Sequence, residues 1–345
     1  MRGRSLVLLL LVCVAIAAYG SRHSSGSLGS RGTPTPTPTV TGFGNIAPAL
    51  VIVNSVLGEQ QEQAAGTGIV LTASGEVLTN NHVIAGATSV QAVDVGNGHT
   101  YPATVVGYDR SHDVAVLRLQ GAQGLTTAPL DTGAKPAVGN AVAAIGNAGG
   151  TGSLSTAVGT ISALDQSITA TDEASSSSEQ LTGLIQVNAD VRAGDSGGPL
   201  VDSAGRVIGI TTAAGSNFSF QRGSTAGFAI PIGAALPIRS QIDASRASAT
   251  VHIGPSAQLG VLIRSAQAGG GAEVVQVVPG EPAADAGLVA GDTITQVGGV
   301  SVGGPTALIA LIDRYHPGQA VSVAWTDQSG ANRSATVTLA NGPAG

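Results

Sequence analysis

The strongest chemical signal in the sequence is a short glycine-rich motif around one serine. Residues 194–199 read Gly-Asp-Ser-Gly-Gly-Pro. A serine hydroxyl is a poor nucleophile at neutral pH unless a base takes its proton, and the oxyanion that its attack creates must meet preset hydrogen-bond donors. Glycine lets the backbone turn sharply here, so that the N–H groups of Gly194 and Ser196 can point into one spot. The motif therefore predicts Ser196 as a nucleophile beside an oxyanion hole.

Two further motifs supply partners for this serine. Residues 79–84 read Thr-Asn-Asn-His-Val-Ile and place His82 at the end of a predicted strand, and Asp113 opens a second strand, 113–119. The serine motif alone also fits a tight hairpin or the Gly-x-Ser-x-Gly elbow of α/β-hydrolases. However, the order His, Asp, Ser is that of chymotrypsin, whereas an α/β-hydrolase has its histidine last. The three motifs together favour a His-Asp-Ser triad.

His112 is a competing candidate because it is the immediate neighbour of Asp113. Successive residues of an extended strand face opposite sides, so only one of the two can approach His82. We expect Asp113 to face inward, because a carboxylate holds an imidazole in the required tautomer, and His112 to be exposed. The other histidines show no paired ligand spacing, so no metal site is predicted and no cofactor is expected. These are His23, His99, His252 and His316.

The composition indicates two mainly β domains. The chain has 345 residues, 50 of them glycine, and only 10% of the residues are charged. Many glycines suit short strands and tight turns and disfavour a helical bundle, where each interior glycine costs about 1 kcal/mol. The net charge is −6 and no basic run is present, so a nucleic-acid partner is not expected.

The N-terminus has the features of an export signal. Residues 1–20 begin with Arg2 and Arg4 and continue into an apolar run that contains Cys13, the only cysteine. The run is shorter than the roughly 20 residues of a spanning helix, so a cleaved signal peptide is favoured and an uncleaved membrane anchor through residues 5–20 is the alternative. We therefore expect a secreted, cell-envelope or periplasmic location. Residues 21–44 are rich in Ser, Gly, Thr and Pro and predict an extended linker.

The remainder of the chain divides into two predicted domains. Residues 45–244 show short apolar runs broken by turn signals every eight to twelve residues, which predicts a β-barrel or sandwich. Two polar segments, 165–180 and 213–225, are predicted as long loops within it. A closing helix (231–244) and a linker (245–256) follow. The second domain covers residues 257–341, with predicted strands at 260–264, 272–278, 293–297 and 320–326 and a helix at 305–314.

At these motifs the chain resembles the HtrA (DegP-like) family of serine proteases. The resemblance rests on the three motifs above and on Gly-Phe-Ala-Ile-Pro at residues 227–231, and it covers roughly residues 45–340. It implies a chymotrypsin/trypsin-like double β-barrel with its catalytic groups in the cleft between the barrels. It further implies processing or degradation of unfolded or exported proteins, without ATP or metal, often by a homotrimer.

The resemblance also assigns roles to residues. His82 would be general base and then general acid, Asp113 its orienting carboxylate and Ser196 the nucleophile. The strand 225–229, which holds Ala226, Gly227 and Phe228, would pair with substrate backbone. Regulatory loops would lie at 166–182, 190–194 and 214–224.

Two residues depart from the expected pattern. Asp195 stands where the family commonly has asparagine, and a buried carboxylate needs a partner; Arg192 is the nearest candidate. Asp190 lies six residues before Ser196, where trypsin-like enzymes that cut after Arg or Lys hold a negative charge. The family resemblance instead favours small aliphatic residues at the cleavage site, and Ala226 and Phe228 also suggest a small apolar pocket. Both preferences stay open, with the aliphatic one favoured.

The C-terminal domain resembles a PDZ domain, an α+β fold. Residues 258–261, Gln-Leu-Gly-Val, look like its carboxylate-binding loop, so Leu259, Gly260 and Val261 are the predicted peptide-binding residues. Successive backbone N–H groups in such a loop can cradle a terminal carboxylate. The resemblance implies capture of peptide C-termini or hydrophobic segments. Two alternatives remain, a catalytically silent PDZ-bearing chaperone on a protease scaffold and an esterase.

Overall fold

The computed structural model describes residues 46–57, 62–133, 135–172, 177–212, 227–266 and 270–343. The predicted leader and linker, residues 1–44, lie outside this part of the chain, as does the predicted polar loop 213–225. Within the described ranges, no helix has both the length and the apolar character needed to cross a bilayer.

Six strands form the first barrel. Its sheet runs in the order β5-β4-β1-β2-β3-β6, and β5 also pairs with β6, which closes the ring. Val51, Val53, Val70 and Leu117 pack in its interior, since β-branched and aliphatic side chains fit a buried pleated surface. The strands are β1 Leu50–Leu57, β2 Glu62–Val70, β3 Glu76–Thr79, β4 Ala87–Asp94, β5 Thr100–Asp109 and β6 Val114–Leu119.

A second closed barrel follows, in the order β10-β11-β12-β9-β8-β7. The prediction of a mainly β double barrel is thus confirmed. The prediction of a long loop at 165–180 is partly wrong. Two long strands run through it and pair from Ile161↔Val187 to Asp172↔Ser177, because ladder hydrogen bonds form whether or not the side chains are apolar. The strands are β7 Ala141–Gly146, β8 Ser155–Asp172, β9 Ser177–Val187, β10 Pro199–Asp202, β11 Val207–Thr212 and β12 Gly227–Pro231.

A helix fixes the two barrels against each other. This helix, Ile232–Asp243, occupies the predicted position and packs on β5 and β6 of the first barrel and on β11 of the second. Its Arg239 binds the buried Glu76 of β3 (Nε to Oε1, 2.6 Å), and Arg118 approaches the other oxygen of that carboxylate at 3.5 Å. A buried carboxylate with two cationic partners is satisfied, so the cleft between the barrels has a fixed frame.

The segment 245–256 contains a strand, β13 (Val251–Ile253), which adds to the first barrel by pairing with β5. After β14 (Ala257–Gln258) comes an antiparallel sheet in the order β15-β16-β17-β19-β20, around a core that includes Trp325. The predicted strands and helix of this domain are present. The elements are β15 Val261–Ser265, β16 Ala272–Val277, β17 Thr293–Val297, β18 Val300–Ser301, β19 Ala320–Thr326, β20 Asn332–Thr338, β21 Ala340–Asn341 and the helices Pro282–Asp285 and Pro305–Ile312.

In chain order, the helices are named α1 (Asn81–Ile84), α2 (Ile232–Asp243), α3 (Pro282–Asp285) and α4 (Pro305–Ile312).

Candidate active site

His82 lies in the short helix α1 rather than at the end of β3, and it contacts Asp113 twice. Its Nδ1 lies 2.9 Å from Oδ2 and 3.1 Å from Oδ1 of Asp113. Its backbone N–H also donates to Oδ1 at 3.0 Å. Both carboxylate oxygens therefore face the imidazole edge, an arrangement that stabilises an Nδ1–H tautomer and leaves Nε2 as the basic nitrogen.

Asp113 follows a 3-10 turn, Arg110–His112, and has a left-handed backbone (φ 54°, ψ 46°). Asp113 is buried and His112 is 53% exposed, as predicted. The alternation of side chains along a strand is not the reason, because the strand begins only at Val114. A left-handed non-glycine residue costs about 1 kcal/mol, so other contacts must hold it. Thr212 of β11 provides one, because its hydroxyl donates to Asp113 Oδ2 at 3.2 Å.

Asn80 joins the Asp113 turn to the serine motif, a role that the sequence motifs did not predict. Its Nδ2 donates to the backbone carbonyl of Asp113 at 2.8 Å, and its Oδ1 accepts from the N–H of Gly197 at 2.7 Å. The side chain is fully buried. One amide therefore fixes the distance between the two turns, and the only sequence signal was its position two residues before His82.

The turn at Ser196 is held by the first barrel. Its carbonyl accepts from Thr67 N at 2.8 Å. Gly197 has φ +81°, and a Cβ there would lie 2.1 Å from Thr67 O and Thr79 Oγ1, so only glycine fits. A Cβ on Gly66 would meet both Val83 of α1 (2.6 Å) and Ser196 O (3.1 Å). The helix of His82 and the serine turn therefore converge on Gly66.

The carbonyl contacts of two peptide groups in this turn indicate the direction of the predicted oxyanion-hole N–H groups. The carbonyl of Ala193 accepts from Gly149 N at 2.6 Å, and that of Asp195 accepts from Thr211 Oγ1 at 2.6 Å and Gly198 N at 3.0 Å. The C=O and N–H of a trans peptide point in opposite directions. The N–H groups of Gly194 and Ser196 are therefore directed away from Gly149 N in one case and from Thr211 Oγ1 and Gly198 N in the other.

The expected pairing of Arg192 with Asp195 is wrong. The Arg192 guanidinium binds Asp190 instead, with Nε 2.9 Å from Oδ2, and only its backbone N–H reaches Asp195 Oδ2, at 2.9 Å. Oδ1 of Asp195 is buried without a hydrogen-bond partner among the described residues. Burial raises the pKa of Asp195, although the N–H and charge of Arg192 oppose this. The exposed guanidinium stays outside because solvation and a nearer carboxylate are available there.

The predicted substrate-binding residues are only partly brought together. Asp190 is 64% exposed, and the hydrogen bond from Arg192 lowers its pKa. Gly227 lies against Val191, where a Cβ would be 2.4 Å from Cγ2. Phe228 is buried and pairs with Thr212 and Gln186 on its two sides, so backbone pairing with substrate there is excluded. Ala226 lies outside the described residues.

The predicted carboxylate-binding loop of the second domain has a comparable backbone arrangement. The carbonyls of Leu259 and Gly260 accept from Ala283 N at 2.8 Å and Val278 N at 2.9 Å. The N–H groups of Gly260 and Val261, which belong to the same two peptides, therefore point away from Ala283 and Val278 respectively. Gly260 has φ +75°, and a Cβ there would lie 2.1 Å from Glu281 Cβ. These two successive N–H groups are the predicted donors to a carboxylate.

Replacing Asp195 by asparagine should stabilise the protein at neutral pH. A raised pKa means that the folded protein favours the protonated form of Asp195. The stability that Asp195 contributes is therefore fully present below its pKa in the unfolded chain and is lost as the pH rises through its pKa in the folded protein. Removing about 1 kcal/mol of uncompensated burial should raise Tm by about 2–4 °C at pH 8. Calorimetry from pH 8 downwards should show the gain shrinking as Asp195 becomes protonated.

Asp202→Asn is the matched control of opposite sign. Burial raises the pKa of Asp202, but the hydrogen bonds from the backbone and side chain of Arg206 outweigh it, so the net pKa is lowered. The ionised form of Asp202 stabilises the fold at pH values above the pKa of this group in the unfolded chain. Because asparagine lacks that charge, Asp202→Asn should lower Tm at pH 8. A lower Tm for Asp195→Asn at pH 8 would contradict our interpretation.

Comparison with known proteins agrees with this geometry. A family model described as a trypsin-like peptidase domain matches residues 66–210, and one described as a PDZ domain matches residues 273–325. Serine protease PepD of Mycobacterium tuberculosis is 36% identical over 308 residues, which cover 85% of this chain and 64% of PepD. Serine protease Do-like HtrA of Lactococcus lactis subsp. lactis is 32% identical over 295 residues, or 81% of this chain and 71% of that protein.

A probable periplasmic serine endoprotease, DegP-like, of Hahella chejuensis is 34% identical over 278 residues, which cover 77% of this chain and 55% of that protein. The chain thus spans less than two thirds of PepD and of the DegP-like relative. Its match to the Lactococcus protein covers most of both sequences. The chain belongs to the HtrA family of serine proteases, with a trypsin-like peptidase domain followed by a PDZ domain.

Proposed function

We propose that this protein is an ATP-independent serine endopeptidase that hydrolyses peptide bonds of unfolded or exported proteins. The observation that carries the proposal is the double contact of His82 Nδ1 with Asp113, at 2.9 and 3.1 Å. It is supported by Asn80, which ties Asp113 to the turn of Ser196. Base, orienting carboxylate and hydroxyl are then parts of one hydrogen-bonded frame.

In the proposed reaction, His82 takes the proton of Ser196 as Oγ forms a bond to the scissile carbonyl carbon. The N–H groups of Gly194 and Ser196 stabilise the oxyanion. Collapse breaks the C–N bond, and His82 gives the proton to the leaving amine, which leaves an acyl-enzyme. Water then attacks the ester with His82 again as base, and the returning proton restores Ser196.

The PDZ domain is proposed to bind C-terminal or hydrophobic peptide segments. The N–H groups of Gly260 and Val261 would receive a terminal carboxylate, because their peptide carbonyls are turned inward. β15 stands at the end of its sheet in the described strand order, so its outer edge can accept a peptide strand. Leu262 on β15 is 46% exposed. Calorimetric titration should detect a peptide that ends in a free carboxylate and not its C-terminally amidated form.

For the cleavage site we propose a small aliphatic residue rather than arginine. Arg192 already neutralises Asp190, and Val191 packs against the backbone of Gly227 and narrows the space there. Profiling on a peptide library should give cuts mainly after small aliphatic residues. Arg192→Gln should add cuts after arginine by freeing Asp190, whereas Arg206→Gln, a similarly exposed arginine that binds Asp202, should not. Dominant cutting after arginine by the unaltered protein would overturn the proposal.

We further propose an exported location, supported by the basic and apolar start of the chain and by DegP-like relatives described as periplasmic. An uncleaved membrane anchor in residues 5–20 is the alternative to a cleaved signal peptide that the apolar run leaves open, and a homotrimer is an expectation of the family resemblance. Mass spectrometry of the mature N-terminus and light scattering of the purified protein test them.

The decisive test of the function uses the purified full-length protein with casein and a fluorophosphonate probe. We expect the probe to label Ser196 and casein to be cleaved without ATP. Labelling without cleavage of casein but with cleavage of small esters would indicate an esterase. Neither labelling nor cleavage, together with suppressed aggregation of an unfolded protein, would indicate the silent PDZ-bearing chaperone.

A further inference from the structure

A polar cluster joins the PDZ domain to the first barrel at Asp313, the residue that follows α4. Asp313 Oδ2 lies 2.9 Å from Nη1 of Arg110, and its Oδ1 accepts from the hydroxyl of Tyr108 at 3.2 Å. The Asp313 backbone carbonyl accepts from Nδ1 of His252 at 2.6 Å. Asp313 is therefore bound through both its side chain and its backbone to residues outside the PDZ sheet.

Packing makes this cluster more rigid than a surface ion pair. Tyr108 is almost completely buried, its ring stacks on His252 (4.9 Å between centroids, 22°), and Arg110 lies 5.5 Å from the ring centroid. Burial raises the pKa of Tyr108, so its hydroxyl stays protonated and donates. The side chains of Arg110 and Asp313 are only 24% and 19% exposed, and such partly buried pairs have better defined geometry than exposed ones.

Arg110 is also the first residue of the turn that carries Asp113. The carbonyl of Arg110 accepts from the N–H of Asp113 at 3.1 Å, and Asp113 then takes its left-handed conformation. Within the turn, Asp109 provides a local anchor by accepting from His112 N at 3.2 Å. A strained residue keeps its conformation only where its surroundings hold it. Thr212 and Asn80 hold Asp113 directly, and Asp313 adds an indirect long-range contact through Arg110.

We propose that Asp313 is a positioning residue for Asp113, acting through Arg110, so that the PDZ domain contributes a side chain to the alignment of the catalytic triad. This inference rests on the proposed catalytic role of Asp113. Asp313 does not touch the reacting atoms. It holds the turn whose carboxylate orients His82, so its loss should affect turnover more than substrate binding.

The test compares Asp313→Asn with the unaltered full-length protein on a short, C-terminally amidated fluorogenic peptide, which does not need the carboxylate loop. Asparagine keeps an acceptor for Tyr108 but loses the charge that binds Arg110. We expect kcat to fall by about tenfold to a hundredfold, as for small misplacements of catalytic groups, with KM unchanged. Asp313→Glu, which keeps the carboxylate, should recover most of the rate.

Asp327→Asn is the matched control, because Asp327 is also 19% exposed and binds Arg333 within the PDZ domain; its kcat should be normal. In a double-mutant cycle, the double variant Arg110→Ala/Asp313→Ala should have a kcat no lower than that of the slower single variant, because both substitutions break the same ion pair. Emission of Trp325, the only tryptophan, reports whether the PDZ core stays folded. Normal kcat for Asp313→Asn, or equal losses for both asparagine variants, would overturn the inference. A fully active Ser196→Ala would instead reject the proposed function.

Discussion

Replacement of Ser196 by alanine is expected to reduce kcat for peptide hydrolysis by about 10⁶-fold, as loss of a triad nucleophile does. The reason is that no covalent acyl intermediate can form without Oγ. The fold should survive, because the Ser196 backbone carbonyl, which binds Thr67 N, is unaffected. Casein cleavage, a fluorogenic peptide and the fluorophosphonate probe measure the loss.

His82→Ala should be nearly as inactive, and the double variant Ser196→Ala/His82→Ala hardly worse, because members of a triad act as a unit. Ser240→Ala, on the exposed face of α2 where the hydroxyl donates to Leu236 O, serves as the control and should keep full activity. Retention of more than about 1% of kcat by Ser196→Ala, far above what triad variants keep, would count against a serine mechanism.

Asp113→Asn is expected to reduce kcat by about 10⁴-fold while leaving the protein folded. The single oxygen of asparagine can still accept from the His82 N–H, which binds Oδ1. Its NH2 group would take the place of Oδ2 and can donate to Thr212 Oγ1, so the turn should persist. However, its amide group no longer stabilises an Nδ1–H tautomer or an imidazolium. The basic nitrogen of His82 would then face the wrong way for Ser196.

The measurement is steady-state kinetics with unaltered KM, accompanied by thermal unfolding. Asp131→Asn is the control, since Asp131 forms an ion pair with Arg206 away from the triad, and its kcat should not change. If Asp113→Asn retained at least about a tenth of kcat while Ser196→Ala was inactive, Asp113 would not have the orienting role that triads require.

Local sequence carried most of the information about the candidate site. A serine between glycines requires a turn that only glycine can make, as Gly197 shows with its φ of +81° and its contacts to Thr67 and Thr79. The same holds for Gly260 in the PDZ loop. Such requirements act over a few residues, so they can be read from a short window.

Other features could not be predicted from the sequence, because they depend on which residues lie close together in the folded protein. The hairpin of β8 and β9 contains polar residues that lack an apolar period, and only its ladder hydrogen bonds define it. Arg192 had two carboxylates within three residues, and the sequence could not tell that the exposed one, Asp190, would bind it while Asp195 turned inward. Competition between solvation and pairing decides such cases.

The order of the motifs, the two domains and the glycine turns could be predicted from the amino-acid sequence, because backbone preferences and burial patterns are encoded locally. Which distant side chains meet depends on the folded structure. Asn80 reaches both Asp113 and Gly197, and Tyr108 meets Asp313 across 205 residues. The sequence does not specify which partner a charged or hydrogen-bonding side chain will have, so these pairs are defined only by the packing of the folded chain.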